Sequence, residues 1–286
     1  MNKHDSFIQS AAQGNEVTGR SLPSDDFKIV VTHKLPDPAV IGKLLRGEAA
    51  GMLVHDCISK AACRAATKAF MAAAAHERPD GVAAVEVGIG HYGKSTSDYL
   101  DAVRQTAQAF AQLFKKGDSP KKLNELIRKS LLPGYVLRPA IHQGKQAATY
   151  RAARWNQTGQ YALLMHEDIS QLSIVRQQGF EIQRVKVPVA VNAYHSTSER
   201  GGGLRVWNMS PDEATRRRLG ILESGHPYPA AGLSGVPFID IAIETGDVLF
   251  LNGSLIHAVE KSDGPTPRIV VNGFIGLVGR EVLQWT

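Results

Sequence analysis

The spacing of hydrophobic and polar residues changes partway along the chain. Before about residue 135, apolar residues recur at near-helical spacing, and the alanine-rich run from residue 58 to about 76 contains neither Gly nor Pro. Helices are predicted there, and again over residues 97–114 and 123–131. Strand-like runs at 27–32, 51–55 and 82–87 lie between them. The first part therefore predicts helices with a few short strands.

After residue 135, runs of four to eight apolar or β-branched residues alternate with Gly, Pro and Asn turns. Such runs are typical of a β-sandwich or barrel. The pair Asn252-Gly253 lies between two of them and predicts a hairpin. A helical insertion is predicted at 211–222, with a capping box from Ser210 to Glu213. The expected fold is mainly β with helices (α+β), and the N-terminal helices pack on its outside.

Composition narrows the class of protein. The 286 residues carry a net charge of +6, and the basic residues are scattered without interleaved aromatic residues, so no nucleic-acid partner is expected. The chain shows no signal peptide and no membrane span, and two cysteines fit a reducing compartment. We expect a cytoplasmic protein without a membrane partner. Its residues 1–22 should form a disordered tail and 23–286 one domain, divided into a helical part (23–134) and a β core (135–286).

Residues 88–95, Gly-Ile-Gly-His-Tyr-Gly-Lys-Ser, match the phosphate-loop pattern G-x-x-x-x-G-K-[ST]. A true phosphate loop belongs to a parallel α/β sheet, whereas the rest of this chain favours short strands with turns. Asp240, the nearest candidate magnesium ligand, lies in the middle of a strand. A nucleotide-binding protein using Lys94 stays an alternative. So do a tight turn into a capped helix and a loop that covers an active site with His91, Tyr92 and Lys94.

A strand-like run ends in His166-Glu167-Asp168. Residues i and i+2 of a strand share a face, so His166 and Asp168 should point the same way. His257, just after the Asn-Gly pair, is the candidate third ligand. Two histidines and one carboxylate leave open positions on a metal, as non-heme iron sites require. A structural His-x-Asp pair and a core histidine are the alternatives.

Residues 244–259, Glu-Thr-Gly-Asp-Val-Leu-Phe-Leu-Asn-Gly-Ser-Leu-Ile-His-Ala-Val, and the Thr-Pro-Arg-Ile-Val-Val at 266–271 closely resemble the iron(II)/2-oxoglutarate-dependent oxygenases. The Gly-Gly-Gly-Leu-Arg-Val-Trp at 201–207 also resembles that family. The resemblance covers roughly residues 135–278 and implies a double-stranded β-helix, which is a cupin-like jelly roll. It implies Fe(II) bound by His166, Asp168 and His257, with 2-oxoglutarate and O2 as co-substrates.

The resemblance also assigns Arg268 to the far carboxylate of 2-oxoglutarate, for which a guanidinium is the matching partner. A surface ion pair is the alternative for this arginine. Some branches place a Ser two residues later as a further contact, and this chain has Val270. The candidates for a substitute are Tyr150, Asn192 and Tyr194.

The whole-chain order of motifs resembles the small bacterial N-succinyl amino acid hydroxylases and the related aliphatic halogenases. In the halogenases a Gly replaces the ligand Asp and frees a position for chloride. Asp168 is present here, so the resemblance implies hydroxylation, or else desaturation or epoxidation. In these relatives the Gly-rich loop lines the substrate pocket, which implies substrate contacts from Gly90, His91 and Tyr92.

The expected substrate is a small polar molecule with an anionic group, such as an amino acid derivative. Arg151 and Arg154, just before the predicted ligands, motivate this, although outward-facing solvated arginines explain them equally well. Phe274 is expected to line the pocket or the core. A cupin-type metal enzyme without 2-oxoglutarate and a non-catalytic β-sandwich are the remaining rivals. A homodimer through the N-terminal helices is compatible with the chain, although nothing specifies one.

Overall fold

The helices lie mostly in the first half of the chain. The computed structural model describes residues 16–78, 84–117, 119–155, 161–172 and 179–286. Its α-helices are α1 (Pro38–Leu45), α2 (Lys60–Ala72), α3 (Thr96–Leu113), α4 (Ser119–Lys129) and α5 (Glu213–Arg218). Single 3-10 turns lie at Ser170–Leu172, Glu181–Arg184 and Ala230–Leu233. No helix within these ranges is long and apolar enough to cross a membrane.

The strands run through both halves. The first ten are β1 (Gly19–Arg20), β2 (Ile29–His33), β3 (Gly51–His55), β4 (His76–Glu77), β5 (Ala84–Val87), β6 (Val136–Pro139), β7 (Ile141–His142), β8 (Lys145–Gln146), β9 (Arg151–Trp155) and β10 (Tyr161–His166). The others are β11 (Val189–Ser196), β12 (Arg200–Gly201), β13 (Leu204–Trp207), β14 (Ser210–Pro211), β15 (Phe238–Ile241), β16 (Val248–Asn252), β17 (His257–Glu260), β18 (Ser262–Asp263), β19 (Ile269–Val278) and β20 (Glu281–Trp285).

Two sheets make up most of the β structure. The major sheet has the order β2-β3-β16-β11-β19-β9-β5-β4, and β20 joins β19 to β6. The minor sheet has the order β10-β17-β13-β15. Most pairs are antiparallel, except β2 with β3 and β6 with β20. The predicted boundary near residue 134 does not divide this sheet, because β3 pairs with β16 and β5 pairs with β9 of the later part.

The core forms on both faces of the major sheet. In β11 and β19, alternate residues such as Val191 and Val271 pack outward against α1, α2 and α4. The residues between them, such as Ala190 and Val270, face inward toward the minor sheet. This alternation buries both faces of the major sheet and leaves the space between the two sheets for a site. The predicted mainly β fold, with helices outside, is confirmed.

Side-chain caps fix where the helices begin. Ser59 accepts a hydrogen bond from the amide of Ala62 at the start of α2, and Ser95 caps α3 through Asp98. The sequence predicts the cap of this helix at Thr96 or Ser97, one or two residues later than the observed cap Ser95. Asp37 caps α1, a helix that the spacing of apolar residues did not predict.

Two predictions about local structure, a capping box and a hairpin, are wrong. The capping box at 210–213 is wrong because Ser210–Pro211 pairs with β1, and Asp212 caps α5 by accepting from the amide of Thr215. The hairpin at Asn252-Gly253 is wrong because β16 belongs to the major sheet and β17 to the minor sheet. The turn carries the chain from one sheet to the other.

The predicted tail is wrong for its last residues. Residues 1–15 lie outside the described ranges, but Val17 is buried and β1 pairs with β14. The amide and carbonyl of Leu22 both bond to the side chain of Asn208, at 2.8 and 2.9 Å. Residues 16–22 are therefore attached to the loop that precedes α5.

Candidate metal centre and cavity

Strand register brings the two predicted histidine ligands together. His166 ends β10 and pairs directly with His257, the first residue of β17. Their ring centroids are 4.0 Å apart. Asp168 follows two residues later, and its Oδ2 lies 3.6 Å from Nε2 of His257. One ligand atom of each residue lies within 4.8 Å of the other two, so this cluster has the geometry to hold a metal ion.

Hydrogen bonds orient all three side chains. Nδ1 of His166 contacts the Leu164 carbonyl at 2.7 Å, and Nδ1 of His257 contacts the Leu255 carbonyl at 2.9 Å. These bonds assign the proton to Nδ1 and leave Nε2 as the metal-binding atom. The Tyr92 hydroxyl donates to Oδ1 of Asp168 at 3.2 Å. The sequence suggested Tyr92 as a substrate contact, and the structure adds this bond to a candidate ligand.

Burial sets the protonation of the cluster. It lowers the pKa of His166, assisted by the neighbouring His257, and it also lowers the pKa of His257. Both imidazoles are therefore neutral near pH 7, which is the form that binds metals. Burial raises the pKa of the Asp168 carboxyl to about 7. A divalent cation among these atoms would offset the cost of burying the carboxylate.

Arg268 lies in the same cavity, one residue before β19. It is buried, its Nε donates to the Gly202 carbonyl at 3.1 Å, and its guanidinium lies 5.2 Å from the ring centroid of Tyr194. Burial lowers its pKa. Across the described ranges, no carboxylate lies within ion-pair distance of it. A surface ion pair is therefore wrong for Arg268, and the site fits a bound carboxylate.

The cavity lies between the inner faces of the two sheets. Its major-sheet wall contains a cross-strand row in which Asn192 of β11 pairs with Asn272 of β19, and Asn272 pairs with Arg151 of β9. The minor sheet and the turn after β10 supply the candidate metal ligands. The lining residues are Arg78, Tyr92, Arg151, Trp155, Leu163, His166, Glu167, Asp168, Ala190, Asn192, Tyr194, Leu204, Ser224, His226, His257, Val259, Arg268, Val270, Asn272 and Phe274.

Some of the predicted substrate residues reach this cavity. Tyr92, Arg151 and Phe274 line it, whereas Gly90, His91 and Arg154 do not. Among the candidate substitutes for the missing Ser, Asn192 and Tyr194 line it. The third, Tyr150, lies elsewhere and donates to the side chain of Asn124.

Gly90, His91 and Arg154 lie away from the cavity for simple structural reasons. Residues three apart on a strand lie on opposite faces, so Arg154 faces outward and approaches Met71 of α2. His91 is fully buried and bonds through Nδ1 to the Thr286 carbonyl at 2.6 Å. Gly90 lies against the guanidinium of Arg151, which lines the cavity in its place.

Several lining residues were missed by the sequence reasoning. Arg78 lies 5.5 Å from the ring centroid of Trp155, and Ser224 with His226 comes from the loop after α5. No short motif marks these positions. Asn272 was detectable, because it lies four residues after Arg268 on a strand and must share its face.

The phosphate-loop alternative is wrong. β5, which precedes residues 88–95, is antiparallel to both of its neighbours, β4 and β9. Nζ of Lys94 donates to the carbonyls of Gly90 and Tyr92, at 3.0 and 3.3 Å. The loop instead enters α3 through the Ser95 cap and directs Tyr92 into the cavity.

Comparisons with known proteins agree with this geometry. The chain is 28% identical to L-isoleucine 3(1)-dioxygenase of Pantoea ananatis over 246 residues, which are 82% of each protein. It is 25% identical to L-gamma-glutamyl-L-propargylglycine hydroxylase of Streptantibioticus cattleyicolor over 105 residues, 36% of this chain and 38% of that protein.

A solved structure also resembles this one. It is an N-substituted L-amino acid dioxygenase from Burkholderia ambifaria, with a TM-score of 0.53 and 12% identity, covering 87% of this chain and 91% of that one. That likeness and the two facing sheets confirm the predicted double-stranded β-helix. A family model described as carrier-protein-independent halogenase WelO5 matches residues 26–281. Because this match spans well over half of the chain, the protein belongs to that family, within the iron(II)/2-oxoglutarate-dependent oxygenases.

Proposed function

We propose that this protein is an iron(II)- and 2-oxoglutarate-dependent dioxygenase that hydroxylates an unactivated C–H bond of a small amino acid or amino acid derivative, with release of succinate and CO2. The observation that carries the proposal is the cluster of His166, Asp168 and His257 in one cavity with the buried Arg268. The names of the relatives support an amino acid as the substrate class.

The residues of the chain fit the implied cofactors. Two imidazoles with Nε2 unprotonated and one carboxylate are the donor set of non-heme iron(II), and they leave positions for other ligands. Arg268 offers a buried guanidinium for the far carboxylate of 2-oxoglutarate. The iron, once bound with 2-oxoglutarate and dioxygen, would supply the oxidising chemistry that breaks the C–H bond.

The protein itself orients the reacting groups and excludes water. Carbonyls of Leu164 and Leu255 fix the histidine rings, and the hydroxyl of Tyr92 fixes one oxygen of Asp168. Apolar side chains of both sheets line the cavity beside these polar groups, which reduces the access of water to them. These residues therefore hold the reacting groups in place.

Asp168 favours hydroxylation over halogenation. A halogenase of this kind needs a vacant position for chloride where the carboxylate would bind. Here Oδ2 of Asp168 lies 3.6 Å from Nε2 of His257, within the cluster of three ligand atoms. The backbone amide of Asp168 donates to the Gly253 carbonyl at 2.6 Å and anchors this residue beside the histidines. The carboxylate therefore fills the position that chloride would need.

The first test is an anaerobic titration of the purified protein with Fe(II) and then 2-oxoglutarate, followed by visible spectroscopy. We expect a charge-transfer band that requires both additions. Arg268→Ala should weaken the apparent affinity for 2-oxoglutarate by about 10- to 100-fold, because a charge-assisted pair is lost. Arg205→Ala, on the solvent side of β13 and paired with Asp240, is the matched control and should behave as wild type.

Other outcomes separate the rivals. Metal binding without the band, and without an effect of Arg268→Ala, would indicate a cupin-type enzyme that does not use 2-oxoglutarate. A protein that binds no metal, with the three ligands intact, would contradict the proposal and favour a non-catalytic binding module.

A further inference from the structure

A row of polar side chains crosses the cavity wall opposite the metal cluster. Asn192, Asn272 and Arg151 occupy paired positions on three neighbouring strands, so their side chains share one face of the major sheet. Nε of Arg151 lies 3.4 Å from Oδ1 of Asn272. With its oxygen directed at Arg151, Asn272 has its amide NH2 available as a donor.

The guanidinium of Arg151 is paired with a carboxylate from the neighbouring strand β5, where Glu86 pairs with Ala153 on the same inner face. Its Nη1 lies 3.0 Å from Oε2 of Glu86, and the two side chains are 4% and 1% exposed. A buried carboxylate at this distance fixes the position of the guanidinium. Arg78 adds a second positive charge to the same wall. The wall therefore combines hydrogen-bond donors with positive charge.

The missing side chain at Gly90 makes room for Arg151. A Cβ at Gly90 would lie 1.8 Å from Nη1 and 2.8 Å from Cζ of Arg151. The first atoms that it meets belong to the end of a flexible side chain, so a substitution would displace the guanidinium without breaking the backbone. At Gly88 the nearest atom is the Cα of Arg151, at 3.2 Å, which makes that glycine a requirement of backbone packing.

We propose that Arg151 and Asn272 bind a carboxylate of the substrate, and that Glu86 and Gly90 are positioning residues for Arg151. This inference rests on the proposed function and specifies how its substrate is recognised. A planar guanidinium beside an amide NH2 matches the two oxygens of a carboxylate. Gly90 lies inside the segment 88–95 that resembles a phosphate loop, although the pattern does not require a glycine there, and it leaves the space that the substrate-binding arginine fills.

The experiment uses protein loaded with Ni(II) and 2-oxoglutarate. In this form the protein binds substrate without turnover. Calorimetry measures the affinity for a panel of L-amino acids and their N-succinyl derivatives. The affinity of each acid is compared with that of the corresponding carboxamide. The tightest acid should bind at least 10-fold better than its amide. Gly90→Ala and Arg151→Gln should remove most of that preference, and Glu86→Gln should reduce it.

Gly93→Ala is the matched control. It lies in the same loop at a left-handed φ of 69°, but its Cβ would meet no atom within 4 Å. It tests backbone strain in the loop without displacing Arg151, and the acid preference should stay as in wild type. Equal loss in Gly93→Ala and Gly90→Ala would overturn the assigned role of Gly90.

The proposal is also overturned if acid and amide bind equally, or if no member of the panel binds. Ni(II) and 2-oxoglutarate affinities, measured before any amino acid is added, test the proposed function separately. If both bind normally in wild type and in Gly90→Ala, a failure belongs to the carboxylate site. If neither binds wild type, the proposed function itself has failed.

Discussion

At the scale of single residues, Gly253 shows how a missing side chain shapes the metal centre. A Cβ there would lie 2.7 Å from Oδ2 and 2.9 Å from Cβ of Asp168. We expect Gly253→Ala to displace this carboxylate and weaken Ni(II) binding at least 10-fold, because one of three ligands moves. The cost to the free energy of unfolding should be about 1–3 kcal/mol, as for other overpacked sites.

Calorimetric Ni(II) titration and urea unfolding would measure these two effects. Gly42→Ala is a suitable control, because its Cβ would meet only the end of Arg46, at 3.4 Å. Wild-type metal affinity in Gly253→Ala would show that the close approach to Asp168 is not what requires the glycine.

The burial of His195 predicts that the folded protein loses stability in acid. It is buried, contacts the Ser119 hydroxyl at 2.9 Å, and burial lowers its pKa to about 4. Between pH 6.5 and 4 the unfolded chain binds a proton at this position that the folded chain does not, so stability rises with pH there. The loss on acidification through this window should reach about 2–3 kcal/mol.

Urea unfolding of wild type and His195→Gln, at pH 7.5 and pH 5, would test this. The variant should lose less stability on acidification. Its dependence should not vanish, because burial also lowers the pKa of His91 to about 3. Parallel losses in the two proteins would contradict the assignment.

The residues whose positions in the cavity could be predicted from the sequence are those placed by local geometry. Two-residue alternation aligned His166 with Asp168, and the same rule, applied more strictly, excludes Arg154 while it retains Arg151. The role of Gly90 was not predictable, because it depends on contact with β9, far along the chain. Arg78 lacked any local signal, since its position in the cavity depends on packing against Trp155.

At the scale of elements, a buried ion pair ties α5 to the metal centre. Glu167, between two candidate ligands, accepts from the Ser170 amide at 2.9 Å and from the Tyr228 hydroxyl at 3.3 Å. Nη1 of Arg216, on α5, lies 3.9 Å from its Oε1, and both side chains are buried. The backbone amide of Glu167 also donates to the Gly225 carbonyl at 3.1 Å, in the loop that places Ser224 and His226 in the cavity wall.

Removing one partner should therefore be costly. We expect Arg216→Met to lower the free energy of unfolding by about 3 kcal/mol, because Glu167 then lacks its counter-charge. The double variant with Glu167→Gln should cost less than the sum of the single variants. A double-mutant cycle by urea unfolding measures the coupling, and strictly additive losses would show that the two side chains do not interact.

The elements with strong periodic patterns were predictable, and the turns were less so. α2 and α4 follow their apolar spacing within a few residues. The Asn-Gly signal failed because the same two residues suit any tight turn, and here the turn joins two sheets. The capping box failed because Ser210 was needed in a strand pair with β1, a long-range contact that the local sequence does not contain.

At the scale of the whole molecule, ligands of the cavity should stabilise both sheets together, since residues from each line it. Ni(II) at about 100 times its Kd should add about 2.7 kcal/mol to the free energy of unfolding and raise Tm by about 5 °C. 2-Oxoglutarate should raise Tm further only when the metal is present.

Differential scanning fluorimetry would measure these shifts. Arg268→Ala should keep the metal-dependent rise and lose the second one. A full 2-oxoglutarate shift in that variant would show that the dicarboxylate is held elsewhere.

The overall architecture was predictable because its strands follow a repeating pattern of short apolar runs and turns. The division into a helical part and a β part was less accurate. β2 to β5 are short and isolated in sequence, and only pairing with β16 and β9 makes them part of the major sheet. The resemblance around Arg268 is sufficient to indicate the candidate site from the sequence.

The two faces of β19 have different contacts, one with the cavity and one with the helices. Arg268, Val270, Asn272 and Phe274 reach the cavity from its inner face and its start, over about 20 Å of extended chain. The residues between them face the helices and carry the packing. Exchanges at Val270 or Phe274 would reshape the cavity wall together with the inner core, to which both side chains belong, whereas exchanges at the neighbouring positions would alter the contact with the helices. Selection can thus act on the cavity wall and on the contact with the helices at alternate residues of the same strand, β19.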